Sequence, residues 1–215
     1  MRPFLEEFYD RKREVGRYMA VLRLSEKTMS DATKRRMERE ARIFRAAALL
    51  VIYNAIEASA RSSIQAIYDE IEQSATPFSA LHEALRRRII KDFKAHAGED
   101  AHQGMQNVAV EMVVASFNPR RIFNGNVDAR EIKSQATDYG FDASTLYASS
   151  KNGEHLVTVK NKRNDLAHGI ASFSAVGKDY TVRELLEIAK YSIGYMEGIL
   201  TNIDKYLDNR AYLST

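Results

Sequence analysis

The stretch Lys160-Asn161-Lys162-Arg163-Asn164-Asp165-Leu166-Ala167-His168-Gly169 gathers a guanidinium, a carboxamide, a carboxylate and an imidazole within two to three turns of an expected helix. Counting from Leu156 at about 100° per residue, Val159, Arg163 and Leu166 fall on one apolar stripe. Arg163 therefore points at packed surface, where an arginine needs a carboxylate, a set of carbonyls or a bound phosphate. Two readings stand side by side: an anion clamp, and a structural ion pair to an acid such as Glu57. Asn164 and His168 are four residues apart and share a face turned roughly 100° or more from Arg163. The three cannot converge on one flat face, but they can line a cleft whose other wall is a second helix, from this chain or another copy. His168 stands at the negative end of the helix dipole, a place suited to proton transfer or to facing a phosphate. The plain alternative is a side chain that merely ends a helix.

The elements that position this stretch read as helices throughout. Phe4, Leu5, Phe8, Val15, Tyr18, Met19 and Leu22 predict a first helix from Pro3 to Leu24, with a break over Ser25 to Asp31. Met37 through Ile71 predicts a long second helix, apolar nearly all round at its middle and so central. A third helix follows Pro77 through Leu81, Leu85, Ile89 and Phe93. A loop over Ala97 to Gly104 precedes a fourth helix carrying Met105, Val108, Met112, Val113 and Phe117. After a turn at Phe117 to Val127, Asp128 and Glu131, spaced as a capping box, start a short helix that Gly140 ends. Glu154 to His168 forms the motif helix, stopped by Gly169. Thr181 and Glu184 cap a final helix that runs through Leu207. No strand alternation, repeat or low-complexity tract interrupts the pattern, so the expectation is an all-α single domain over residues 1–215.

Composition narrows the chemistry. With no cysteine, disulfides, thiolate metal sites and thiol nucleophiles are excluded together, leaving histidine, arginine and carboxylates. His82, His96, His102, His155 and His168 form no His-x-x-x-His ligand pair, and the glycines form no phosphate-binding loop, so neither metal nor cofactor is expected. The apolar stretch Phe44 to Ala60 is interrupted by Arg45, Asn54 and Glu57, and the first residues include Arg2, Glu6, Glu7, Asp10 and Arg11. Neither a membrane span nor a secretory leader is expected, and a cytoplasmic location is. The net charge of +3, from 32 basic and 29 acidic residues, permits nucleic-acid binding without requiring it. Basic groups at Lys34, Arg35, Arg36, Arg39, Arg42 and Arg45, and at Arg86, Arg87, Arg88, Lys91 and Lys94, read first as solvated helix faces.

The motif stretch resembles a known family. Arg163-Asn164-x-x-x-His168 is similar to the arginine-x4-6-histidine motif of the HEPN superfamily (higher eukaryotes and prokaryotes nucleotide-binding), where asparagine commonly follows the arginine. The segments Leu50-Val51-Ile52-Tyr53-Asn54-Ala55-Ile56-Glu57, Phe123-Asn124-Gly125-Asn126-Val127-Asp128-Ala129-Arg130-Glu131-Ile132, Tyr139-Gly140 and Gly177-Lys178-Asp179-Tyr180-Thr181 resemble, in order, the MAE-like stand-alone prokaryotic branch. The resemblance implies a helical bundle with long central helices and a short-helix insertion before the motif helix. It also implies a homodimer with motifs facing across a cleft, and RNA cleavage without metal in a toxin–antitoxin or phage-defence setting. By the same resemblance His168 is the acid or base, Arg163 the phosphate clamp, and Asn164 orients the phosphate or its neighbour. Asp165 tunes His168 or only solubilises the turn, while Glu57 and Asn54 support from the central helix. One departure stands out. HEPN toxins paired with a nucleotidyltransferase antitoxin typically carry tyrosine two residues after the histidine, and that position here is Ile170, which points to a different partner protein or to action within a defence locus. The competing expectation is a non-catalytic HEPN-like protein that binds RNA or a partner.

Overall fold

The computed structural model describes residues 1–28, 30–96, 123 and 125–214, which are helical with no strand beyond one isolated bridge between Leu81 and Leu213. Helix α1 (Pro3–Thr28) runs one turn past the predicted end. Ser25 and Thr28 donate their hydroxyls to the carbonyls of Leu22 and Leu24 at 2.8 and 2.9 Å, so these polar residues bond back along the helix rather than ending it. Ser30 then caps the short α2 (Asp31–Arg36) by accepting from the Thr33 amide.

Helix α3 (Glu38–Gln73) is the central element, with α1 and three later helices packed along it. Its 36 residues span about 54 Å at ~1.5 Å per residue. Leu49, Ile52, Ile56, Ile64, Ile67 and Ile71 are all buried, as its nearly unbroken apolar girth predicts. By length and composition α3 could cross a membrane, its best 18-residue window having a mean hydropathy of 1.4, which the interrupted stretch Phe44 to Ala60 understates. Half of that window is buried inside the bundle, as befits the middle of a packed core.

A 3-10 turn (Phe78–Ala80) leads to α4 (Glu83–His96), whose first turn is capped by His82, the ring Nδ1 accepting from the Leu85 amide. The predicted loop at 97–104 and the helix carrying Met105 to Phe117 lie outside the described residues. Asp128 caps α5 (Ala129–Tyr139), which ends at Gly140 in the left-handed conformation. The predicted capping box is only half made, because Glu131 accepts from Gln135 instead of reaching back to Asp128. One turn of α6 (Tyr147–Ser150) and a 3-10 turn (Lys151–Gly153) then lead into α7 (Glu154–Ala167), the motif helix. Helix α8 (Phe173–Gly177) packs on α3, and α9 (Val182–Asp208) closes the bundle behind the complete Thr181–Glu184 capping box.

Two members of the basic groups are cross-links rather than solvated charges. Arg45, with 12% of its side chain exposed, reaches Glu26, Glu38 and the Gly177 carbonyl, tying α1, α3 and α8 together. Arg88, 10% exposed, bonds Asp92 and Asp138 at 2.8 Å each and lies over the Tyr139 ring, fastening α4 to α5. Burial alone would lower the Arg88 pKa, but Tyr139, Asp92 and Asp138 outweigh it and raise it.

Candidate functional site

Leu156, Val159 and Leu166 are buried along one side of α7, which packs on α3 and α9. The stripe that carries them turns Arg163 toward α3, as its register predicts. The guanidinium carbon sits 4.8 Å from the centre of the Tyr53 ring, and Nη1 donates to Asn164 Oδ1 at 3.0 Å. Stacking on an aromatic face with one amide acceptor suits a planar cation. The anticipated pair with Glu57 is present but long, at 3.9 Å, and the other Glu57 oxygen accepts from Arg61 at 2.7 Å. Arg163 keeps 29% of its side chain exposed, so these contacts hold it without enclosing it.

The chain just before α5 closes the other side. Tyr53 Oη accepts from the Val127 amide at 3.2 Å, and Asn164 Nδ2 donates to Asn126 Oδ1 at 3.1 Å. Burial above all pushes the Tyr53 phenol up to about 12, so it remains a neutral wall at physiological pH. Gly125, at φ +72°, lies so close to Arg163 that a Cβ there would come 2.7 Å from Nη1. The positive φ favours glycine at this position, and a side chain there would push the Arg163 guanidinium aside. Tyr53, Gly125 and Asn126 are thus part of the site although no motif spacing marks them. The available signals are Tyr53 one helical turn before Glu57 and a glycine–asparagine pair between the buried Phe123 and Val127.

Helix α7 ends where predicted, with His168 as the last half-helical residue and Gly169 at φ +67°. The Ile170 amide bonds the Asp165 carbonyl at 2.9 Å and the Gly169 amide bonds the Leu166 carbonyl at 3.3 Å, the paired bonds of a Schellman end. His168 is exposed, and its ring makes no hydrogen bond or ion pair among the described residues. The Asp165 carboxylate faces Lys162 at 3.6 Å and makes no bond to His168. Asn54 is exposed on α3 and is not bonded to the motif. One chain therefore assembles Arg163, Asn164, Tyr53, Glu57 and Asn126 into a corner and leaves His168 exposed at the end of the helix, five residues on. Chemically, the corner offers a partly exposed guanidinium for an anion, and the helix end offers an exposed imidazole, a group that can carry a proton. Among the described residues, no group of three or more histidines and carboxylates is placed to hold a metal ion.

An all-α bundle that carries an arginine–asparagine–histidine set at a helix end is the class of protein defined by this fold and site. The chain belongs to the HEPN family: the model for MAE_28990-like HEPN proteins matches residues 3–212. No curated protein and no solved structure matches the chain. Ribonuclease activity occurs in many members of the HEPN superfamily, so membership points to a nuclease-type or RNA-related role.

Proposed function

We propose that the chain is a metal-independent endoribonuclease, one HEPN domain over residues 1–215, acting as a homodimer in the cytoplasm. The observation that carries this reading is the pairing of a braced, partly exposed Arg163 with an unengaged His168 five residues on. In the proposed reaction the RNA 2′-oxygen attacks the adjacent phosphorus. The O2′–P bond forms, the P–O5′ bond breaks, and 2′,3′-cyclic phosphate and 5′-hydroxyl ends result. One His168 takes the 2′-hydroxyl proton, and the partner subunit's His168, across the cleft, returns a proton to the leaving 5′-oxygen. Arg163 lies against the phosphorane oxygens, where charge develops, and Asn164, bridged to Asn126, sets the direction of its fork. The biological setting is a toxin–antitoxin or phage-defence system. Ile170 in place of a modifiable tyrosine favours control by a separate partner protein.

A second reading, a non-catalytic HEPN protein that binds RNA or a regulatory partner, draws on the Arg163–Glu57 contact, which gives the guanidinium a structural use. The two part company on oligonucleotides in which single 2′-hydroxyls are replaced by hydrogen, incubated with the protein in EDTA. The nuclease loses cleavage only at the substituted position. Continued cleavage there would exclude the 2′-oxygen as nucleophile, and binding without any cleavage of all-ribose RNA would favour the second reading.

A further inference from the structure

A cavity of about 730 Å³ forms a trough between α1 and α9, and none of its lining residues belongs to the Arg163–His168 site. Helix α1 lines it at every third or fourth residue from Lys12 to Lys27, and α9 does so from Leu186 to Glu197. Such matched stripes on adjacent helices form the seat into which a third helix packs its ridges. Over the α1 stretch the trough is ~22 Å long at ~1.5 Å per residue, room for about four helical turns.

Its floor is aliphatic. Val15 and Met19 come from α1, and Leu186, Ala189 and Ile193 from α9, with exposed Leu24 at one end. Gly16 lies in the middle of α1, exposed, and a Cβ there would meet no atom within 4 Å. Glycine is unfavourable inside a helix relative to almost any side chain, and no described part of the chain uses the space it leaves. A bare backbone next to exposed Ala20 permits the close approach of another helix. The rim is positive: Arg23, Lys27 and Lys190 are exposed, and the one acid among the described lining residues, Glu197, is engaged by Lys12 at 2.8 Å.

We propose that this trough docks an amphipathic helix of a separate protein, aliphatic on its docking face and acidic along both edges. The cationic rim supplies the charge complementarity. A second copy of this chain fits less well, because a two-fold contact through the trough would set its cations against themselves. RNA fits less well too, because the described lining residues include no aromatic ring on which a base could stack.

The test uses the full chain and three fluorescent probes read by anisotropy. Two are designed helical peptides of about 18 residues with a common leucine–alanine face, one flanked by glutamates and the other by lysines. The third is a single-stranded RNA. The glutamate peptide binds, with the lysine peptide at least about tenfold weaker. Gly16→Phe weakens glutamate-peptide binding about tenfold or more while the thermal midpoint holds or rises, and Arg23→Glu combined with Lys190→Glu reverses the preference between the peptides. Absence of binding by either peptide, equal binding of both, or binding indifferent to Gly16→Phe overturns the proposal. So does RNA displaced by Gly16→Phe, or a homodimer dissociated by it, since either would assign the trough to another occupant.

Discussion

Arg163 rests on the face of Tyr53, bonds Asn164 and stands 3.9 Å from Glu57, which is itself bonded more tightly to Arg61. Its binding capacity is divided among weak holders, none of which uses up the fork. A lysine cannot lie flat on the ring and reach the amide at once, and it offers a phosphate only a point charge. Arg163→Lys is therefore predicted to lower RNA cleavage by about tenfold or more, the equivalent of one charge-assisted hydrogen bond of ~1.5–3 kcal/mol. Because Arg163 is partly exposed, the thermal midpoint should move little. Full activity in that variant would remove the clamp from the account, and a large fall in midpoint with unchanged specific activity would make the residue structural.

At the scale of elements, the insertion is fastened to the motif helix by Lys160 on α7 and Asp128 at the head of α5, 2.5 Å apart and both largely buried. Asp128 has two tasks, since it also caps α5 through the Glu131 amide. Asparagine retains the cap and removes the ion pair, so Asp128→Asn is predicted to cost about 1 kcal/mol or more near neutral pH, measured by urea unfolding. Burial works against the Asp128 carboxylate, but the bond from Lys160 and the Glu131 amide outweigh it and hold its pKa below the usual 3.8. A depressed pKa in the folded state means that the stabilisation is complete above the unfolded value and is lost as pH falls through the folded one. The gap between wild type and Asp128→Asn should hold from neutral pH to about 4 and close below it. A gap that persists under strong acid would mean that the charge on Asp128 is not what stabilises the link.

For the whole molecule, what was legible in the residues is what is local in the chain. The ends of α7, the Gly140 stop and the Thr181–Glu184 box follow from spacing alone, and so does the turn of Arg163 toward packed surface. Beyond Asn164 and Glu57, the corner around Arg163 was not legible. Tyr53 comes from the middle of α3, and Gly125 and Asn126 from the chain before α5, so only packing brings them to α7. The burial of Arg45 and Arg88 was hidden for the same reason, their acids lying on other helices as well as on their own. The same scale decides the proposed dimer. Ile170, 74% exposed, lies two residues beyond His168, and Val157 on α7 is exposed as well. A contact between motif faces would cover such residues, each worth ~1.5–3 kcal/mol when fully buried. Light scattering is predicted to give a dimer at micromolar concentration and to show weakened association for Ile170→Asp. A monomer throughout that range would leave the two-subunit cleft without support.

The most direct test of the central claim is cleavage of a mixed single-stranded and structured RNA panel in EDTA by wild type and His168→Ala, with the product ends identified. The account predicts wild-type products ending in 2′,3′-cyclic phosphate and a loss of about 10²–10⁴ in rate for the variant, the range of a general acid or base. Equal cleavage by both proteins, or products carrying 3′-hydroxyl and 5′-phosphate ends, would contradict it.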